Sequence, residues 1–189
     1  IIILPFIENR FYASILSFIL ATLTFCFSYP LVIYSYHHTI PIFLLNHSLF
    51  CDPLSAFFIL LNSFITMTTS FYVIAYLNNE SKSHLHPLIY RFYHTFFHLF
   101  TFSMFIVILS NNIALLWIAM ELATMSSVVL VALFQSKAAM EAAWKYVILC
   151  GFGLGLSLLG IVIFYFAAHP DTNGTRALLW TFLMQNAPL

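Results

Sequence analysis

The chain has 189 residues, 62% of them hydrophobic and only 6% charged, with 22 Phe and a formal net charge of zero. Soluble domains carry about a quarter of their residues as charges, so a soluble fold is excluded and a polytopic membrane protein is expected. The balanced charge and the lack of a basic patch argue against nucleic acid as a partner, and the lipid bilayer is the expected surrounding.

The opening IIILPFIENRFY has no initiator Met, no charged leader and no small-residue cleavage site, so it is not a signal peptide. It reads as the tail of an earlier apolar segment, and the chain is expected to begin inside a longer reading frame. A bilayer core of about 30 Å needs roughly 20 apolar residues per helix. By that measure a first helix covers roughly 11–34, with Pro30 tolerated because neighbouring helices and local distortion satisfy the freed backbone groups. The connector SYHHTIPIFLLNHSLFCDP carries His37, His38, His47 and Asp52 but no Lys or Arg.

Asp52 as N-cap and Pro53 at the first helical position open a second helix over roughly 53–77. The most polar loop, NNESKSHLHPLIYR from Asn78 to Arg91, leads to a Phe-rich third helix over about 92–110. Asn111 and Asn112 turn tightly into a fourth helix over about 113–134, and a fifth follows over about 140–168, long enough to tilt. HPDTNGTR reads as a turn, and ALLWTFLMQNAPL is too short to span, so it lies at an interface or begins a further helix. The fold class expected is an all-α membrane helix bundle of about five transmembrane helices.

Counted on alternate sides, Arg10, Lys82, Arg91 and Lys137 fall together and Arg176 falls opposite. The positive-inside rule then puts the N-terminus and the loops after the second and fourth helices in the cytoplasm. The His-rich connector and the Asn111-Asn112 turn face outward. Cys26, Cys51 and Cys150 match no disulfide or metal spacing and are expected to be small buried hydrophobes. The sequons at Asn46, Asn79 and Asn173 are common by chance and carry no weight.

Glu121 is the anomaly. Residues 113–134 contain 11 Leu, Ile, Val and Phe, worth roughly −3 to −7 kcal/mol of insertion free energy against about +2.5 to +3.5 for one central charge. The helix inserts with its carboxyl aboard, too deep to snorkel. Intramembrane ionisable residues are retained for transport, proton relay or pairing, and desolvation disfavours the charged form of a carboxyl. Glu121 is therefore the leading proton-transfer candidate, with a helix-to-helix hydrogen bond as the bland alternative. Thr124, one turn along, is placed to hold it or a water.

Lys145 is the second candidate, near the inner end of the fifth helix. Glu141 precedes it by one turn, so a surface ion pair is an equally good account. The estimated depths of Glu121 and Lys145 differ by about 11 Å, too far for direct pairing. Gly151, Gly153 and Gly155 superficially resemble a dinucleotide loop but lack a preceding strand. Gly151, Gly155 and Gly160 instead form a small-residue face for close helix approach. His94 and His98, with His84 and His86 upstream, raise the alternative of haem ligation, but no Cys or carboxylate completes a metal set. No metal and no cofactor is expected.

The runs NNIALLWIAMELATMSSVVLVAL and AAWKYVILCGFGLGLSLLGIVIFY, supported by DPLSAFF after Asp52, resemble the antiporter-like, proton-translocating membrane subunits shared by respiratory complex I, Mrp-type cation antiporters and membrane-bound hydrogenases. Within that family the pattern looks most like the F-type subunit of hydrogenase-4 and the related formate-hydrogenlyase membrane subunit. The resemblance implies a larger fold of about fourteen spans, of which this chain holds roughly the second to sixth. It also implies that Glu121 is the family's glutamate on its fifth helix and Lys145 a cationic position on its sixth.

In such subunits the glutamate acts on a lysine of the next, broken helix, which has no counterpart here, so this piece is not expected to be active alone. The function expected is that of a proton-conducting, non-redox membrane subunit of a hydrogenase-type oxidoreductase complex in a bacterial inner membrane. Its partners would be the complex's other membrane and peripheral subunits. A haem-binding or purely structural anchor is the alternative from a different class, and a complex I or Mrp-type subunit the alternative within the family.

Overall fold

The computed structural model describes residues 10–37, 41–80, 87–133, 135–172 and 177–186. Helix α1 is Arg10–His37 and continues through Pro30; α2 is Pro53–Glu80, α3 Pro87–Leu109, α4 Ile113–Ala132, α5 Lys137–Thr172 and α6 Trp180–Asn186. Helices α1 to α5 contain segments long and apolar enough to cross a membrane, and the fold is an all-α membrane bundle.

Local chemistry sets several boundaries. Asp52 caps α2, its Oδ1 accepting from the Ser55 N–H at 2.7 Å and its carbonyl from Ala56 at 2.9 Å. Asn112 caps α4 in extended backbone, its Oδ1 accepting from Ala114 at 2.9 Å and Leu115 at 3.2 Å. Gln135, at φ 49°, then breaks the chain out of α4. The hydroxyl of Ser136 accepts from Ala139 at 3.1 Å, so α5 begins at Lys137, earlier than expected.

The buried positions are small. On α1 they include Ser14, Ser17, Ala21, Ser28 and Ser35, and on α2 Ala56, Ile59, Ser63, Thr66, Ser70 and Val73. The α2 set steps by three and four residues and the α1 set by three, four and then seven, the seam of helices crossing at a shallow angle. Large apolar side chains such as Phe27, Phe71 and Phe152 point outward. In hydrocarbon no hydrophobic force joins the helices, so close approach of small residues and short polar contacts must do so. α1 packs mainly on α2, α3 on α4 and α4 on α5.

The connector between α1 and α2 contains a two-stranded antiparallel hairpin that the periodicity did not reveal. Strand β1, Ile42–Leu44, pairs with β2, Leu49–Cys51, with Phe43 opposite Phe50. Leu45, Asn46 and His47 turn the corner at φ 50°, 54° and 67°. Three successive non-glycine residues in the left-handed region are costly, and Asn111 holds them in place. Its Nδ2 donates to the His47 carbonyl at 2.8 Å, and its main-chain N–H to the Ser48 carbonyl at 2.9 Å.

Asn111 also gathers the segment after α5. Its Nδ2 donates to Thr181 Oγ1 at 2.9 Å, its Oδ1 accepts from the Thr181 N–H at 3.2 Å, and its carbonyl accepts from Trp180 at 2.8 Å. The hairpin, the α3–α4 turn and the start of α6 thus share one end of the bundle, and α2 and α4 each run from it toward the other. This is the alternation that five successive spans require.

One expectation is corrected. Cys51 is buried, but Cys26 is exposed on the outer face of α1 and Cys150 is half-buried, because the seam of α1 belongs to serine and alanine. A Cβ at Gly151, Gly153, Gly155 or Gly160 would meet nothing within 4 Å. The glycine face of α5 is open among the described residues, and α5 packs instead through Ala143.

Candidate functional site

Helix α4 places Glu121 about 12 Å from its Ile113 end, at ~1.5 Å per residue. The carboxyl is half-buried, flanked by the buried Ala119 and Ala123. It has no hydrogen bond or ion pair with another described residue.

Two side-chain bonds tie α4 to α5. The Trp117 indole N–H donates to the Leu154 carbonyl at 2.8 Å, and the Ser127 and Tyr146 hydroxyls meet at 3.3 Å. Between these bonds α4 advances ten residues and α5 eight, antiparallel. Glu121, four residues beyond Trp117, therefore lies about level with Gly151. The missing side chain there leaves open space beside α5.

Lys145 does not join Glu121. Six residues from Gly151, it sits ~9 Å further along α5. Its ammonium instead pairs with Glu141 one turn earlier, both side chains being largely exposed at 74% and 66%. Thr124 does not hold Glu121 either: its hydroxyl donates to the Met120 carbonyl at 2.9 Å. On the Ile113 side of Trp117 a cleft of about 630 Å³ opens between α4 and α5, lined by Ile113, Leu116, Gly160, Phe164 and Trp180.

The histidines serve elsewhere. His94 is buried at 2% exposure with its Nε2 3.1 Å from Ser14 Oγ, and His98 Nε2 is 2.8 Å from Ser17 Oγ. Both rings are tied into the α1–α3 contact through the nitrogen that an axial ligand would offer. His84 and His86 lie outside the described residues. Among the described residues no set of three or more His, Cys, Asp or Glu gathers as a metal site. The serine partners on α1 escaped the sequence reading, although their three-and-four spacing was a usable signal.

Residues 110–186, which run from the α3–α4 turn through α6 and hold Glu121 and Lys145, match the family described as NADH:quinone oxidoreductase/Mrp antiporter, TM. The chain is 40% identical over 138 residues to a hydrogenase-4 component F homolog of Methylacidiphilum infernorum (isolate V4), covering 72% of this chain and 29% of that protein. It is 36% identical over 124 residues to Na(+)/H(+) antiporter subunit A1 of Staphylococcus aureus (strain bovine RF122 / ET3-1), covering 65% of this chain and 14% of that one.

Its fold superposes on a chain of the membrane-bound sulfane sulfur reductase, an archaeal respiratory membrane complex. The TM-score is 0.71 at 21% identity, over 98% of this chain and 37% of that chain. The chain thus spans less than a third of the length of the relatives it matches. Over residues 110–186 it is similar to the NADH:quinone oxidoreductase/Mrp antiporter family.

Proposed function

We propose that the chain is part of a proton-conducting, antiporter-like subunit of a hydrogenase-4 or formate-hydrogenlyase type complex, and that Glu121 is its proton-transfer residue. The observation that carries this is a carboxyl about 12 Å inside a spanning helix without a partner among the described residues, level with open space at Gly151. Such a group is retained at a cost in insertion free energy, and ionisable residues kept inside a membrane mark transport, proton relay or pairing.

Electron transfer in other subunits would alter the pairing and hydration of Glu121 and so move its proton. Lys145 would deliver or receive protons at the inner end, with Glu141 modulating it and Thr124 standing close to Glu121 along α4. The charge asymmetry supports an orientation with the Arg10 end in the cytoplasm, and the bacterial relatives support an inner-membrane subunit partnered by the complex's other subunits. E121Q in the full-length subunit should lower proton translocation while assembly stays intact, as read by vesicle acidification and native gel. Unchanged translocation removes Glu121 from the mechanism.

The similarity to a sodium/proton antiporter subunit favours a second reading, cation/proton exchange. Sodium-driven acidification of inverted vesicles without any electron donor separates the two.

A further inference from the structure

The α1–α2–α3 interface is more polar than spanning helices require. On α1 and α3, Ser14 meets His94 and Ser17 meets His98. Phe18 against Phe71 and Phe25 against Phe64, with ring centroids 5.8 and 5.9 Å apart, set the antiparallel register of α1 and α2. That register puts Ser70, Thr66 and Asn62 about level with residues 19, 23 and 27 of α1. From Ser14 to the level of Asn62 the polar groups extend over ~20 Å of helix rise.

Midway, Thr24, Thr66, Thr101 and His98 line a cavity of about 290 Å³ rimmed by leucines and phenylalanines. Each threonine hydroxyl donates to its own helix, to the carbonyls of Ala21, Asn62 and Phe97. Their oxygens therefore present lone pairs, and the cavity asks for a donor. On the same face of α2, Asn62 Nδ2 and Ser70 Oγ are buried without a hydrogen-bond partner among the described residues, Ser70 at 3% exposure. Buried polar atoms left unpaired are costly, and ordered water with two to four polar neighbours is the usual completion.

We propose that the α1–α2–α3 interface binds a file of water molecules between His98 and Asn62, and that protons move along it by a lane separate from Glu121. Each water accepts one proton and passes one on, so the file is unchanged by the passage. The water site stands independently of the function proposed above; its use as a proton lane rests on that reading.

The test uses the full-length subunit in its assembled complex, imaged by electron cryomicroscopy finely enough to show ordered water. Water is expected within hydrogen-bond distance of Asn62 Nδ2 and Ser70 Oγ and inside the threonine cavity. An acyl chain filling the cavity, or another subunit's side chain bonded to Asn62 and Ser70, overturns the site. In a second arm the double variant T66V/T101V removes two acceptor oxygens with little change of shape. Loss of proton translocation per electron-transfer turnover, with assembly and turnover kept, supports the lane, and unchanged translocation overturns it. If E121Q is silent while T66V/T101V lowers translocation, the lane survives and the Glu121 reading falls; the reverse pattern sinks the lane alone.

Discussion

The Trp117 indole N–H donates across the α4–α5 interface to the main-chain carbonyl of Leu154 at 2.8 Å, one turn before Glu121 on α4. Leu154 lies within the CGFGLG stretch of α5, and its carbonyl also takes its own helical bond. The indole therefore adds a bond rather than rescuing an orphan. W117F should cost about 1 kcal/mol, and W117A more through lost packing. Melting temperatures of the purified full-length subunit check both. Equal melting of wild type and W117F would mean that Trp117 acts by bulk alone.

A larger effect is expected at Asn111, whose side chain bonds the His47 carbonyl, Thr181 Oγ1 and the Thr181 N–H. N111L loses all of these and leaves the left-handed run at Leu45, Asn46 and His47 without one of its restraints. At about 1 kcal/mol per bond the loss is roughly 2–3 kcal/mol. N111D keeps the acceptor for Thr181 N and should fall between. Protease cleavage at the hairpin, compared across the series, reads the ordering directly.

Length and hydropathy made the five spans legible, and Asp52 announced its helix through cap chemistry, whereas Asn112 read only as a turn and its capping emerged from the structure. The sequence carried the hairpin poorly. IFLLNHSLFC lacks the glycine that usually marks a tight corner, and the left-handed Leu-Asn-His corner is restrained by its own Ser48 N–H to Leu45 carbonyl bond together with tertiary bonds from Asn111. The site was legible by half. Glu121 stands out as a charge in an apolar run, whereas its level against Gly151 depends on bonds at Trp117 and Ser127 that no spacing rule supplies. The glycines of α5 suggested the packing face, yet the packed seams are the serine and alanine steps of α1 and α2.

The Glu141–Lys145 pair separates ordinary pairing from transport. Both side chains are largely exposed and one turn apart, a geometry worth about 0.3–0.5 kcal/mol in helices. A double-mutant cycle with E141Q and K145Q should return a coupling of that size in thermal stability. If K145Q also lowers proton translocation well beyond E141Q, Lys145 acts through its own charge and not through the pair. Equal effects of the two variants assign it to the pair.

Cys51 offers a pH test of the hairpin end of the bundle, away from the spanning segments. It closes β2 at 5% exposure. Burial pushes its thiol above the ordinary 9.0, and the adjacent Asp52 carboxylate pushes it further in the same direction. Both causes disfavour the thiolate, which is the nucleophile. Alkylation by iodoacetamide in a C26S/C150S background should therefore be slow near neutral pH, and its rate should climb only above the usual thiol range. D52N removes the charge but retains an equally good N-cap for Ser55, so α2 should start unchanged. Its alkylation midpoint should move down while staying above the ordinary value, because burial remains. A native rate matching that of the denatured chain near neutral pH would show that β2 does not shield the thiol, and with it that the hairpin does not hold its register.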